Sequence, residues 1–264
     1  MSGSAPTQNA PAPAPKQLVV LSGKGGTGKT SIVAAFASLV NDKVLADCDV
    51  DAADLHLVMA PQLRQREVFM AGKEARIAPQ LCSACGECAK LCRFDAIHLV
   101  QTESGRSVYS VDPMSCEGCG LCVRVCSSAA VSMVDAERGE WFVSDTRHGP
   151  MVHARLGIAQ ENSGKLVSLV RREAKAVAHA HHSDLLICDG SPGIGCPVIA
   201  SIAGAHLVLV VTEPSLSGLH DLGRVAELCR QFNVKTGVCI NKADINTDVA
   251  AEIEADAAGW GLPV

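Results

Sequence analysis

Two groups of residues in this 264-residue chain have the types and spacing for chemistry. One is the run Gly23-Lys24-Gly25-Gly26-Thr27-Gly28-Lys29-Thr30, which fits the pattern G-x4-G-K-S/T. Glycine lets consecutive backbone N–H groups point inward at a phosphate, and a helix N-terminus behind the loop adds positive potential. Lys29 is placed to reach the β- and γ-phosphates of a nucleotide, and the Thr30 hydroxyl to ligate Mg²⁺. The other group is eight cysteines, Cys82-x2-Cys85-x2-Cys88-x3-Cys92 and Cys116-x2-Cys119-x2-Cys122-x3-Cys126. Thiolates at that spacing hold iron–sulfur clusters, each run giving three ligands to one cluster and its fourth to the neighbour. Cys82, Cys85, Cys88 and Cys126 are therefore expected on one 4Fe–4S cluster, and Cys116, Cys119, Cys122 and Cys92 on a second. Zinc takes four ligands in two separated pairs, which two interlocking quartets do not match. A chain carrying both a nucleotide loop and electron-holding clusters implies that the two are coupled.

The cysteine-bearing stretch is an internal duplication. Positions 82 and 116, 85 and 119, 88 and 122, and 92 and 126 are each 34 residues apart. Both runs read C-x2-C-G-x-C, and each is followed by a small apolar pair, Ala96-Ile97 or Ala130-Val131. Two-cluster ferredoxins have this form. The proline usual after the fourth cysteine is replaced by Arg93 in the first repeat and Ser127 in the second, which removes no ligand. Arg93 either tunes a cluster or meets a partner, or it is simply solvated.

Around these groups the pattern is that of alternating strands and helices. Leu18–Leu21 is a short apolar run ended by the glycine loop, hence a buried strand, and Thr30–Val40 has helical apolar spacing. Val44–Asp47 is a second strand with Asp47, Asp49, Asp51 and Asp54 at its end. After a connecting stretch come helix 165–180, strand 185–189, strand 207–211, helix 219–232, strand 236–240 and helix 247–258. Such alternation implies an α/β fold, a P-loop-type, mostly parallel sheet covered by helices on both faces, with an inserted α+β ferredoxin domain. The expected divisions are an Ala/Pro-rich disordered tail at 1–16, a first ATPase part at 17–78, the ferredoxin insertion at 79–134 and a second ATPase part at 135–264. Leu262-Pro263-Val264 reads as the start of another strand, so the natural protein is expected to continue.

Composition narrows the classes. With 48% hydrophobic and 19% charged residues the chain is globular. A net charge of −5 and only 3% aromatic residues argue against nucleic-acid partners, which call for basic stripes and stacking platforms. No run of 18 apolar residues is present, so no membrane span is expected. The N-terminal residues lack the charged and apolar regions of a signal peptide. Thirteen cysteines are therefore read as reduced thiols and metal ligands in a cytoplasmic protein rather than as disulfides.

The loop sequence K-G-G-T-G-K-T, with its extra Lys24, resembles the deviant phosphate loop of the MinD/ParA ATPases and dinitrogenase reductase. The likeness extends to Asp189-Gly190-Ser191-Pro192-Gly193-Ile194-Gly195, to Asp49-Val50-Asp51-Ala52, and to Gly149–Leu156, Glu161–Val167 and Gly195-Cys196-Pro197. The whole chain apart from its tail is similar to members of this superfamily that carry a ferredoxin insertion, including ATPases linked to the orange-protein complex. The resemblance implies ATP and Mg²⁺ as ligands, with Gly25, Gly26, Thr27, Gly28, Lys29, Thr30 and Ser31 around the phosphates. It implies Lys24 crossing a dimer interface to the partner's nucleotide, Asp49 positioning the attacking water and Asp189 holding Mg²⁺ through water. Asp47 and Asp51 are either further groups around that metal or a solvated acidic turn. Asn241, in Asn241-Lys242-x-Asp244, stands where the family places an asparagine against adenine.

Of the other cysteines, Cys48, Cys188, Cys229 and Cys239 read as core residues. Cys196 lies seven residues after Asp189, the separation at which dinitrogenase reductase places a cluster cysteine, so it is carried as a metal candidate against a packed helix start. His153 and His220 read as structural. The expected function is an ATPase that couples nucleotide-driven homodimer or heterodimer formation to electron transfer or metallocluster assembly, with a redox or metallocluster protein as partner. The alternative is a positioning ATPase whose clusters sense redox state.

Overall fold

The computed structural model describes residues 14–157 and 163–264. The tail expected at 1–16 lies outside the described residues as far as residue 13, as do Glu161 and Asn162. In chain order the first elements are β1 (Lys16–Ser22), α1 (Lys29–Leu39), β2 (Lys43–Asp47), α2 (Leu55–Met59) and β3 (Gln62–Ile77). There follow α3 (Glu87–Leu91), β4 (Ile97–Gln101), β5 (Ser107–Val111), α4 (Leu121–Val125), β6 (Val131–Thr146) and β7 (Gly149–Leu156). The rest are α5 (Ser163–Ala180), β8 (Leu185–Pro192), α6 (Cys196–Ile202), β9 (Leu207–Thr212), α7 (Leu216–Gln231), β10 (Thr236–Ile240) and α8 (Thr247–Gly259).

These elements form two compact units. One comprises residues up to Arg66, Trp141–Arg155 and Ser163–Val264; the other comprises Glu67–Glu140 and residues from Leu156. The boundary falls inside β3 and inside β6. The eight-stranded sheet has the order β10-β9-β1-β8-β2-β7-β6-β3, and every pair from β10 to β7 is parallel. Parallel strands are buried on both faces, which is why β2 is closed to solvent at all five positions and why Val19, Val20 and Leu21 of β1 are fully buried. The register sets Val20 and Asp47 on either side of β8 against Asp189, so the acidic ends of β2 and β8 lie side by side.

Helices close over this sheet through single apolar stripes. On α5 the buried positions are Leu166, Val167, Val170, Ala174 and Ala178, with Arg171 among them. That arginine donates to the carbonyls of Ala200 and Ala203 and to Gln17 Oε1, pinning α5 to the end of α6 and the start of β1. Val33 and Ala37 of α1 join Val20, Leu45, Met151 and Ile187 in the main core, and Leu55 and Met59 of α2 complete it. Ser215 caps α7 by accepting from the Gly218 N–H, and Asn246 caps α8 by accepting from Val249 N–H. Among the described residues no helix is long and apolar enough to cross a membrane.

The stretch before α5, read from sequence as a connection, is instead the strand pair β6 and β7. A two-residue turn at Arg147-His148 joins them, a connection that antiparallel strands permit. The strand expected at 185–189 also runs on to Pro192. In the second unit, β4 and β5 pair antiparallel, and Ala75, Ile77, Ile97, Val108, Ala130 and Val131 build a small core with buried Cys82.

His153, on β7, packs its ring on Phe142 with centroids 4.9 Å apart and on His56 at 6.2 Å, and its Nε2 lies 3.1 Å from Ser144 Oγ. Burial, aided by His56, lowers its pKa from 6.5 to about 4. Between those values the unfolded chain takes up a proton that the folded chain refuses, so stability is full above pH 6.5 and falls as the pH drops toward 4. The loss from this group is expected to reach about 3 kcal/mol at most. Urea unfolding of wild type and His153→Gln across that interval checks it: the substitution should flatten the pH dependence.

Candidate nucleotide and cluster sites

The nucleotide loop hangs between the end of β1 and the start of α1. Gly28 precedes the helix with φ +91°, and a Cβ there would come within 2.3 Å of Asn241 Nδ2, so both backbone and space require glycine. No side chain caps α1, which leaves the first-turn N–H groups of an eleven-residue helix open to an anion. Gly25 and Gly26 are exposed, with nothing within 4 Å of where a Cβ would stand. Thr27 is buried, and its hydroxyl has no partner among the described residues. Ser31 is exposed at the third position of α1, within its first turn.

Lys29 and Thr30 both turn to Asp189. The Lys29 ammonium, 6% exposed, bonds Asp189 Oδ1 and lies 3.4 Å from Asp49 Oδ2, while the Thr30 hydroxyl donates to Asp189 Oδ2 at 2.7 Å. Burial pulls the Lys29 pKa down, but Asp189, Asp49 and Asp47 outweigh it and hold it above the ordinary lysine range. The carboxylates feel the opposite pressure. Burial, with Asp189 beside it, pushes Asp47 well above the carboxylate range, and burial raises Asp49 against the pull of Lys29. Asp47 is fully buried and accepts the N–H groups of Asp49 and Leu55, so it holds the turn rather than meeting solvent; Asp51 is exposed. Two carboxylates, Asp189 and Asp49, meet this ammonium, and Asp47 acts on it through its charge alone. Asp189 and the Thr30 hydroxyl are oxygen donors of the kind that suits a largely hydrated Mg²⁺, which takes only one or two carboxylates.

Lys24 does not stand free. Its ammonium pairs with Glu213 Oε1 at 2.7 Å and reaches Ser217 Oγ at 2.9 Å and Ser215 Oγ at 3.3 Å. The other oxygen of Glu213 takes Lys242 at 3.1 Å, and Lys242 also donates to the Gly26 carbonyl at 2.9 Å. Asn241 donates its amide to the Thr27 carbonyl at 2.8 Å and accepts from the Lys242 N–H, so its side chain braces the loop. Glu213, Ser215, Ser217 and Lys242 were missed by the sequence reading. Their signal was position: Glu213 follows the apolar strand β9, and in parallel sheets ligands gather beyond the carboxyl ends of the strands.

The cysteine unit repeats its backbone as well as its sequence. Left-handed residues recur at the same offset: Ala84 with Gly118, Gly86 with Gly120, and Asp95 with Ala129. At Gly118, φ +66°, a Cβ would stand 2.1 Å from the Lys73 carbonyl oxygen, so no other residue fits that turn. The first cysteine of each run has its carbonyl held by an arginine, Cys82 by Arg106 and Cys116 by Arg138. Backbone N–H groups of Ala75 and Ala130 point at Cys116 Sγ (3.4 Å) and Cys126 Sγ (3.2 Å), the kind of bond that tunes a cluster's potential.

The thiols are grouped across the repeats. Burial raises Cys88, and Cys85 and Cys126 beside it add to the effect. Cys122 is raised in the same way, with Cys116 and Cys119 as its neighbours. A single cavity is lined by Cys92 of the first run together with Cys116, Cys119 and Cys122 of the second, and by Cys88. Cys85 and Cys119 are exposed, and Arg93 and Ser127 face solvent. Among the described residues no three histidine, cysteine or carboxylate side chains converge as a single ion requires. A four-iron cluster stands between its thiolates and spreads them more widely, so the donor chemistry fits clusters. Cys196 is exposed at the first position of α6, backed by Gly164, whose Cβ would lie 3.3 Å from its own. Cys48, Cys188 and Cys229 are buried and Cys239 is partly buried.

Because Cys126 sits beside Cys88, a Cys126→Ala protein is expected to lose the cluster of the first run and retain that of the second. Electron paramagnetic resonance of the dithionite-reduced variant reads this directly. Selective loss of the second cluster would contradict the crossed arrangement.

Comparison with known proteins adds three findings. The 4Fe-4S dicluster domain family matches residues 81–130. The uncharacterized protein MJ0578 of Methanocaldococcus jannaschii is 32% identical over 242 residues, covering 87% of this chain and 79% of that one. Among solved structures, a ParA family ATPase from Chlorobium tepidum aligns with a TM-score of 0.49 at 18% identity, covering 95% of this chain and 83% of its own. The cell division ATPase MinD of Pyrococcus furiosus aligns with a TM-score of 0.46 at 16% identity, covering 94% and 81%. The chain belongs to one family with MJ0578 and carries a 4Fe–4S dicluster domain at residues 81–130.

Proposed function

We propose that this protein binds and hydrolyses ATP, and that nucleotide-driven pairing of two copies governs electron transfer or metallocluster delivery through two 4Fe–4S clusters. The observation that carries this reading is the convergence of Lys29, Thr30, Asp49 and Asp189 behind an open phosphate loop, in the same chain as two interlocking cysteine quartets. Lys29 holds the outer phosphates, and in doing so it leaves Asp189. Thr30 and Asp189 would hold Mg²⁺, which would supply the charge neutralisation that phosphoryl transfer needs. Asp49 orients the attacking water, whose oxygen displaces ADP and leaves as phosphate. Positioning of this kind, beside cations that absorb developing charge, is the main protein contribution to such reactions.

Lys24 supports the pairing step. In the single chain it is occupied by Glu213, Ser215 and Ser217. In a nucleotide-bound pair it exchanges them for the partner's phosphates. The eight cluster cysteines supply the redox half, each cluster drawing its fourth thiolate from the other repeat, with about eight irons per chain in all.

The reading is tested by anaerobic purification with iron and sulfide analysis, followed by ATPase rates in oxidised and reduced protein. Rates that ignore cluster oxidation state would remove the coupling. Lys29→Ala is expected to weaken ATP binding about 100-fold or more, since two charge-assisted bonds are lost. Equilibrium titration with a fluorescent ATP analogue measures it, and unchanged affinity would show that the loop does something else. Lys24→Ala is expected to keep ATP affinity and lose the concentration-dependent part of hydrolysis. Full turnover of that variant at concentrations where the wild type pairs would rule out a trans-acting lysine.

A further inference from the structure

β2 carries Asp47 at its carboxyl end, beside the phosphate loop, and Lys43 at its start, about 13 Å away along the strand. At that far end lies an open cavity of about 520 Å³. Lys43, Arg147, His148 and His181 line it, with Asn41, Ser183 and one carboxylate, Asp42. It lies wholly within the first unit.

Lys43 is the unusual member. Lysines ordinarily lay their stems along the surface and keep the ammonium in water. Lys43 is only 6% exposed, and no hydrogen bond or ion pair of its ammonium is found among the described residues. Its acidic neighbour is Asp42, which is exposed. Burial lowers the Lys43 pKa, and Asp42 offsets this only in part. The side chains around it add like charge. His148 is lowered by burial, then by Arg147 and by Lys43. Arg147 Nε donates to His148 Nε2 at 3.0 Å, which leaves the opposite ring nitrogen of His148 free to donate. The turn that presents both residues is fixed: the Thr146 hydroxyl donates to the Gly149 carbonyl at 2.7 Å and accepts the His148 N–H at 3.1 Å.

The stem of Lys43 is enclosed, while its ammonium, which is not among the fully buried polar atoms, meets the cavity with no protein partner among the described residues. The nearby donors are a guanidinium and an imidazole, the groups that match oxyanions in geometry and charge. We propose that this cavity binds a phosphate-class oxyanion, either inorganic phosphate or the phosphate group of a small metabolite, with Lys43, Arg147 and His148 as its donors. The site is independent of the phosphate loop and of the nucleotide reaction.

The experiment uses the anaerobically purified full chain, both wild type and carrying Lys29→Ala, the substitution weakening any binding at the phosphate loop and circular dichroism confirming that the variant is folded. Inorganic phosphate and glycerol 3-phosphate are titrated by calorimetry at constant ionic strength, with chloride as the control salt. Saturable binding of one anion per chain is expected. Binding of phosphate alone identifies the free anion as the ligand, and binding of both identifies a phosphate group. Adding Arg147→Ala and His148→Ala, both on a solvent-facing turn, should weaken binding at least about 10-fold, the equivalent of one charge-assisted bond. Replacing Lys43 by Met should abolish binding while leaving the melting temperature of the ligand-free protein unchanged or higher, because Met keeps the enclosed stem and no protein partner of the ammonium is lost. A lysine serving only as structure would lower it. No saturable binding of either anion in the Lys29→Ala protein overturns the proposal, as does binding whose affinity ignores Arg147 and His148.

Discussion

The Lys29 ammonium sits where three chain segments end, and each needs it. Asp189 closes the apolar part of β8, Asp49 follows β2, and Lys29 itself opens α1. Without the lysine, Asp47, Asp49 and Asp189 would face one another across adjacent strands with little water to separate them. Removing one partner of such a buried set leaves the others uncompensated, at a cost of about 3–5 kcal/mol. The register that puts Asp47 level with Asp189 is thus tied to the charge at the start of the first helix. The core beneath is apolar and would tolerate several arrangements; the acidic strand ends would not.

What the sequence made legible was chemistry shaped by near neighbours. The phosphate loop could be read because its glycines, its lysine and its hydroxyl lie within eight consecutive positions, and the cysteine runs because a fixed offset repeats. The buried parallel strands could be read because burial on both faces leaves continuous apolar runs. Contacts made across the chain could not be read. Ser215 lies 191 positions from Lys24, and nothing in either segment names the other. Asp47 was left between a metal neighbour and a solvated turn, since only the pairing of β2 with β8 shows that it is enclosed. The strands β3 and β6 escaped notice because long exposed stretches and mixed polar residues blur their alternation. Asn241, which the resemblance sets against adenine, donates its amide to the Thr27 carbonyl 214 positions away, a contact that no local pattern announces.

The cysteine unit shows the same division at smaller scale. Spacing named the ligands, but the turns that carry them depend on left-handed residues, only half of which are glycine. Ala84, Asp95 and Ala129 hold that conformation without glycine's freedom, at a cost of about 1–2 kcal/mol each. A structure that retains such strain at matched points of two repeats is over-determined there by its surroundings. The two arginines on the Cys82 and Cys116 carbonyls are part of that constraint, tying the backbone of each run's first cysteine to Arg106, just before β5, and to Arg138 in β6.

The pairing of Glu213 with both Lys24 and Lys242 affects how fast a ligand can arrive. Around the loop three ammoniums, Lys24, Lys29 and Lys242, are each paired with a carboxylate of Glu213, Asp49 or Asp189. The count balances, so a polyphosphate approaching from beyond the Debye length of about 8–10 Å feels no net pull from these groups. Encounter then proceeds at the pace of unsteered diffusion, and changes in ionic strength, which act on long-range fields, alter it little. Strong attraction begins at contact, where an anion can take the place of Glu213 on the two lysines. A loop of this kind discriminates by residence time more than by capture.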